Sequence, residues 1–270
     1  MLKERVITAL VLLPLVFWCV FGGVPLAFPL FAAALVLIGA WEWTAMMRWQ
    51  PLAARLAYVA VTAALLLDVQ GRALDQGLGV VLAGASLFWL LPALRWVRRY
   101  PADAASWDRA ALLVPVGFFL LVPTWAGLVQ LHAQSPWWLI YLFLLVWGAD
   151  TGAYFAGRRF GKVKLAPAVS PAKTREGLYG GLLTTTLVML AVACWRHMPL
   201  VQAAQFALVS AFTVLASVLG DLFESMVKRR AGIKDSGSIF PGHGGALDRI
   251  DSLTAAAPVF LTGWWLAGGF

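Results

Sequence analysis

Cysteine and charge are both scarce in this 270-residue chain. The two cysteines, Cys19 and Cys194, lie far apart inside apolar runs. That excludes a disulfide framework or a thiolate metal site and leaves both as small packing residues. Charged residues make up 13% of the sequence, too few to clothe a soluble domain. No hydrophilic domain, internal repeat or low-complexity tract interrupts the chain. No small-residue cleavage site follows the basic start MLKER, so the apolar run behind it reads as a retained transmembrane helix, not a signal peptide. The string GRRFGKV from Gly157 is not a phosphate-binding P-loop. It has three residues between its glycines instead of four, Val163 replaces the hydroxyl that would ligate magnesium, and no strand pattern precedes it.

What is present is apolar: 61% of residues are hydrophobic and the mean hydropathy is +0.80. The expectation is an all-α polytopic integral membrane protein. At roughly 20 apolar residues per crossing, nine spans are predicted, near 6–23, 25–46, 53–69, 77–95, 111–131, 136–156, 178–195, 200–224 and 252–269. Ser135 ahead of Pro136 is a good start for the sixth, with a capping hydroxyl before a proline at the first helical position. Trp137 and Trp138, and likewise Trp264 and Trp265, fall where an interfacial aromatic belt belongs. Basic residues collect on the cytoplasmic side of membrane proteins. An N-terminus inside and a C-terminus outside put 19 of the 21 Lys and Arg residues there, leaving only Arg72 and Arg196 outside. The net charge of +8 thus marks a cytoplasmic face and anionic lipid headgroups, and nucleic acid is not an expected partner. The chain reads as a single membrane domain, with 1–135 as scaffold, dimer or lipid-facing helices and 136–270 as catalytic helices and loops.

Two polar loops, 157–177 and 225–251, stand out because basic residues there alternate with acids and glycines. In GDLFESMVKRR, Asp221, Glu224, Ser225 and Lys228 recur at i, i+3, i+4 and i+7, which places them on one helical face. A carboxylate at mid-membrane costs about 3 kcal/mol, so such acids line a cavity, pair with a cation or bind metal. A Glu224–Lys228 salt bridge is the plain structural alternative. In PGHGGALDRID, Gly242, Gly244 and Gly245 let backbone N–H groups turn toward an anion, and Asp248 and Asp251 stand one helical turn apart around Arg249. This mixture suits a polyphosphate and its divalent cation. Lys228, Arg229, Arg230 and Lys234 would neutralise phosphate oxygens while Asp221 and Asp248 hold metal. The upstream loop adds Asp150, Lys173 and glycines that permit close approach. Physical reasoning alone reaches a metal-dependent membrane enzyme that handles phosphates.

The segment from Ser225 to Asp251, SMVKR, four residues, KDSG, two residues, FPGHGGALDRID, resembles the phosphatidate cytidylyltransferases, or CDP-diacylglycerol synthases. DTGAYFAGRRFGK and SPAKTREGLYGG look like two further blocks of that family. The resemblance covers about 146–252 well and the first 140 residues only in hydrophobic character. Arg175 is a departure, standing where many relatives carry an aromatic or apolar residue. The resemblance implies transfer of CMP from CTP to phosphatidate, with release of pyrophosphate, in phospholipid synthesis. It further implies a homodimer in the bacterial inner membrane, a cytoplasm-facing cavity, and a two-cation site of Mg2+ and K+ on Asp221 and Asp248. On that reading Lys228, Arg229, Lys234 and Arg249 clamp phosphates, and Asp235 and Asp251 orient those cations or waters on the metal. His243 donates to a phosphate, while Ser225, Gly244, Gly245, Lys173 and Asp150 line the substrates.

The phosphomonoester of phosphatidate, with a second pKa near 6, is already a nucleophile at neutral pH, so cations and positioning matter more than a general base. A CTP-dependent lipid kinase would want the same groups. An ion-coupled transporter could use Asp150, Asp221 and Glu224 as a cation path, though it leaves the glycine-rich loop unexplained. A CDP-alcohol phosphotransferase would show D-G-x-x-A-R, which is absent.

Overall fold

The computed structural model describes residues 14–240 and 244–269. His243, Gly242 and the beginning of the first expected span lie outside the described residues. Helix α1 covers 14–21. There follow α2 (Ala27–Met46), α3 (Leu52–Val69), α4 (Leu74–Arg99), the single turn α5 (Ala104–Trp107), α6 (Ala110–Gln134) and α7 (Pro136–Phe160). A two-stranded antiparallel ribbon, β1 (Lys164–Ala166) and β2 (Ser170–Thr174), leads to α8 (Arg175–Trp195), α9 (Leu200–Ala231) and α10 (Leu247–Leu266). Among the described residues seven helices, α2, α3, α4, α6, α7, α8 and α9, are long and apolar enough to cross a membrane. The chain is an all-α polytopic integral membrane protein, apart from the ribbon that occupies part of a segment expected to be loop.

Helix α10 is as long as α2 but carries Asp248, Arg249 and Asp251 in its first turns. It runs through the middle of the bundle, packed on α9, α6, α4, α2 and α7, with fourteen of its twenty residues buried. Its Pro258 has no N–H to offer Thr254 four residues back. The Trp89 indole donates to that carbonyl at 3.0 Å and the Thr124 hydroxyl at 3.4 Å. Neighbouring helices thus satisfy the acceptor that the proline leaves without an intrahelical partner, as lipid cannot. At the start of α7 the Ser135 hydroxyl accepts the Trp137 N–H at 3.3 Å, one residue beyond Pro136, as expected.

Three expectations change. Trp137 is exposed, but Trp138 and Trp264 are buried, with ring centroids 5.5 Å apart and Phe206 wedged against both. Consecutive residues on a helix point about 100° apart, and here that turns Trp138 and Trp264 into the bundle. Cys19 is buried, whereas Cys194 is exposed on α8, a helix that buries only the stripe Gly177, Gly181, Thr185, Met189 and Ala193. Finally, α9 continues seven residues past the span end expected at 224, so Arg229 and Arg230 are helical along with Lys228 of the expected shared face.

Helices α7 and α8 meet through small residues. A Cβ on Gly181 would stand 2.8 Å from the Ala149 carbonyl oxygen, and one on Gly180 would stand 2.2 Å from Ala156 Cβ. Close approach of this kind replaces the hydrophobic effect, which bilayer helices cannot use against each other. Gly181→Val is expected to destabilise the protein by about 1–3 kcal/mol through overpacking. Leu183→Ala, on the outer face of the same helix, should change stability by about 0.5 kcal/mol or less. Thermal unfolding of both variants in detergent checks the contrast.

Candidate active site

The polar face forecast for α9 forms, and α10 docks beside it. Because α9 is helical throughout this stretch, Asp221, Glu224, Ser225 and Lys228 do share one side. Lys228 Nζ sits 3.1 Å from Glu224 Oε1 and 2.5 Å from Asp248 Oδ1, so one ammonium ties α9 to the first turn of α10. Glu224 is 2% exposed, and neither of its oxygens accepts a well-directed hydrogen bond. Asp221 Oδ2 pairs with Lys173 Nζ of β2 at 2.7 Å, and its Oδ1 accepts the Ser225 hydroxyl at 3.3 Å. Asp150 of α7 and Asp251 of α10 both lie within electrostatic reach of Asp221 and Lys173. Asp251 Oδ1 accepts the Ser252 N–H at 2.6 Å. Asp150 and Lys173 open onto a cavity of about 370 Å³ that Arg158, Tyr154 and Thr174 also line.

Asp248 is engaged on both oxygens. Its Oδ2 accepts the N–H groups of Gly245 at 2.8 Å and Ser236 at 2.9 Å, while Oδ1 takes Lys228. Of the glycines expected to turn N–H groups toward an anion, Gly245 does so, and in this structure that anion is Asp248. Gly244 has φ +82, a left-handed conformation that glycine adopts without strain.

One residue of the site went unnoticed in the sequence. Glu42 of α2 is 4% exposed. Its Oε1 accepts the Ala246 N–H at 3.0 Å, and its Oε2 accepts the Leu247 N–H at 2.8 Å and the Ser236 hydroxyl at 2.9 Å. A carboxylate from more than 200 residues away thus satisfies N–H groups at the start of α10, where negative charge is favoured. The available signal was a lone acid inside an apolar run, which is by default a functional-site candidate.

Several basic residues stand apart. Arg229 Nε reaches the Val169 carbonyl at 3.5 Å, and Arg230 pairs with Asp108 at 2.5 Å. The side chains of Lys234, Asp235 and Arg249 are exposed and form no hydrogen bond or ion pair among the described residues. The structure therefore brings together Asp150, Lys173, Asp221, Glu224, Ser225, Lys228, Gly245, Asp248 and Asp251, with Gly244 beside Asp248, and leaves Arg229, Lys234, Asp235 and Arg249 at the rim.

A cation can be tested against this set. Among the described residues no three potential ligands already converge at metal-binding spacing. Yet five carboxylates, Asp150, Asp221, Glu224, Asp248 and Asp251, face only two ammonium groups, Lys173 and Lys228. That formal excess of three negative charges, with the Glu224 oxygens lacking directed hydrogen bonds, fits a hard divalent ion that prefers oxygen donors.

Residues 3–266 match the model of the cytidylyltransferase family. The chain belongs to that family. It is 45% identical to the phosphatidate cytidylyltransferase of Pseudomonas aeruginosa over 99% of this chain and 98% of that one. It is 43% identical to the Haemophilus influenzae protein of the same name, covering 96% and 97% of the two chains. A third relative so named, from Brucella suis, is 38% identical over 95% of this chain and 90% of its own. In this cytidylyltransferase family member the acid-rich junction of α7, β2, α9 and α10 is the candidate active site.

Proposed function

We propose that the chain is a phosphatidate cytidylyltransferase, converting CTP and phosphatidate to CDP-diacylglycerol and pyrophosphate in phospholipid biosynthesis. The observation that carries this reading is the nearly full-length match to relatives of that name, with the acid-and-lysine junction supplying the chemistry. A phosphatidate phosphate oxygen attacks the α-phosphorus of CTP. The bond from that phosphorus to the bridging oxygen breaks, and pyrophosphate leaves with the electron pair. Lys173, at the cavity wall, and Lys228, one turn beyond Glu224, offset charge on the phosphates. Glu42 and Asp248 hold Ser236 against residues 245–247 at the start of α10. Asp221 and Asp248 would hold Mg2+, with K+ as a second cation, and Lys228 would then share Asp248 Oδ1. Bound there, the metal would supply charge stabilisation for the reacting phosphates and the leaving pyrophosphate. Ser225, Gly244 and Asp150 line the substrates, Asp251 orients the cluster, Arg229, Lys234, Asp235 and Arg249 act at the rim, and His243 donates to a phosphate.

The finer topology belongs to the same proposal: nine spans, N-terminus inside, a bacterial inner-membrane location and an active site facing the cytoplasm. Contacts between loop ends support the alternation. Arg48 meets the Arg230 carbonyl and Arg230 meets Asp108 at one end. At the other, Gln130 reaches the Arg72 carbonyl, His132 the Val20 carbonyl, and Arg196 lies over Trp138. A homodimer built on the 1–135 helices completes the reading and can be weighed by native mass spectrometry.

The test is an assay of purified protein with CTP, phosphatidate and titrated magnesium. Label from the α-phosphate of CTP is expected in the lipid, together with one pyrophosphate per turnover. Label from the γ-phosphate in the lipid would instead identify a lipid kinase, and cation flux without nucleotide a transporter.

A further inference from the structure

Beside the acidic junction lies a second cavity of about 720 Å³ whose walls are mostly apolar. It is framed by the second half of α4, the β1–β2 turn, the first turn of α8 and the face of α9 from Phe212 to Leu222. Two guanidinium groups interrupt that apolar lining, Arg98 and Arg175. The neighbouring Arg95 and Arg99 both pair with Asp103, but Arg98 and Arg175 have no ion pair among the described residues. Arg98 lies in the last turn of α4 and Arg175 directly after β2, and both line the groove. Both side chains are exposed, so what they offer is complementarity: a pair of cations bordering an apolar groove matches a ligand with an anionic head and a hydrocarbon tail.

The length of the groove fits. From Phe212 to Leu222, α9 advances about 15 Å at 1.5 Å per residue, half of the roughly 30 Å hydrocarbon core of a bilayer. An occupant entering at the arginines and running along α9 would therefore sit within one leaflet. The groove also adjoins the active site. Leu165, Leu178 and Val218 line both it and the cavity that holds Asp150 and Lys173, and Asp221 follows Val218 by one helical turn.

We propose that this groove is the berth of the phosphatidate substrate, seating an acyl chain along α9 while Arg98 and Arg175 receive its phosphate end. The identity of the occupant rests on the function proposed above. An ordinary membrane phospholipid would satisfy the apolar walls equally well, but a headgroup bearing a compensating amine leaves less net charge for two unpaired guanidinium groups.

The experiment uses the full chain in nanodiscs with a phosphatidate carrying a diazirine near the end of one acyl chain. Labelling is expected within 89–97 or 212–222, and unlabelled phosphatidate should compete at least about tenfold better than phosphatidylcholine. Arg98→Gln together with Arg175→Gln should erase that preference. Leu215→Trp and, independently, Leu94→Trp fill the groove from residues that are 43% and 39% exposed and so tolerate change. Each should raise KM for a dioleoyl substrate about tenfold, as if about two methylenes were left unburied, with KM for CTP and for dihexanoyl phosphatidate unchanged. Labelling elsewhere, equal competition by phosphatidylcholine, or unaltered KM in both Trp variants overturns the berth. Selective labelling of the groove without CDP-diacylglycerol formation would overturn the proposed reaction and leave the lipid site standing.

Discussion

Asp221→Asn is expected to lower kcat about a thousandfold while leaving a folded, membrane-inserted protein. The substitution preserves shape and removes one charge. Its structural cost is small, because the Lys173–Asp221 pair is about a quarter exposed on each side, and pairs with that much solvent contribute about 1 kcal/mol or less. The catalytic cost is large because Asp221 lies within electrostatic reach of both Asp150 and Asp251, where it would help to hold the cation that offsets phosphate charge. Losing one preorganised electrostatic group of this kind typically costs about 10²–10³ in rate. Steady-state CMP transfer, read beside circular dichroism and thermal unfolding in detergent, separates the two costs. Lys173→Met in the Asp221→Asn background should add little, since residues acting as a unit are not additive. A kcat within threefold of the parent would remove Asp221 from the site.

The sequence made some features legible through short-range periodicity. The shared face of Asp221, Glu224, Ser225 and Lys228 depends only on 3.6 residues per turn, and it forms as expected. So does the Ser135–Pro136 start of α7, whose parts are adjacent in the chain. What periodicity cannot convey is which side of a greasy helix meets protein and which meets lipid, since both are apolar. Hence Trp138 and Trp264 are buried where a belt was expected, and Cys194 faces outward. Nor does spacing reveal partners from distant segments. Lys173 and Asp221 are 48 positions apart, and the Glu42 contacts with Ser236, Ala246 and Leu247 cross 194 to 205 positions. The β-ribbon was hidden because each strand is only three to five residues long, too short for alternation to show.

Glu42→Gln is the second large effect, and it should appear first in stability. In the native protein both carboxylate oxygens accept: Oε1 from Ala246, Oε2 from Leu247 and Ser236. An amide offers one acceptor and one donor, so one N–H of the α10 start must face another N–H inside a buried pocket. There is little room to turn away, because Cβ atoms on Gly237 and Gly245 would already meet Glu42 oxygens at 2.3 and 2.5 Å. A hydrogen bond to a charged group contributes about 1.5–3 kcal/mol, and an orphaned buried donor costs about 1–3 kcal/mol more. Loss of negative charge at a helix N-terminus adds up to about 1 kcal/mol. A destabilisation of about 3 kcal/mol or more is therefore expected, visible as a lower unfolding temperature and as faster hydrogen exchange at the Ala246 and Leu247 amides. Activity should fall as well, because Ser236 also donates its N–H to Asp248 and so couples the Glu42 pocket to the proposed metal ligand. Glu42→Asp keeps both acceptors but retracts them by one methylene, and should recover part of the amide protection. If Glu42→Gln instead left exchange and unfolding unchanged while abolishing turnover, Glu42 would be acting on the substrates themselves, not as the anchor of α10.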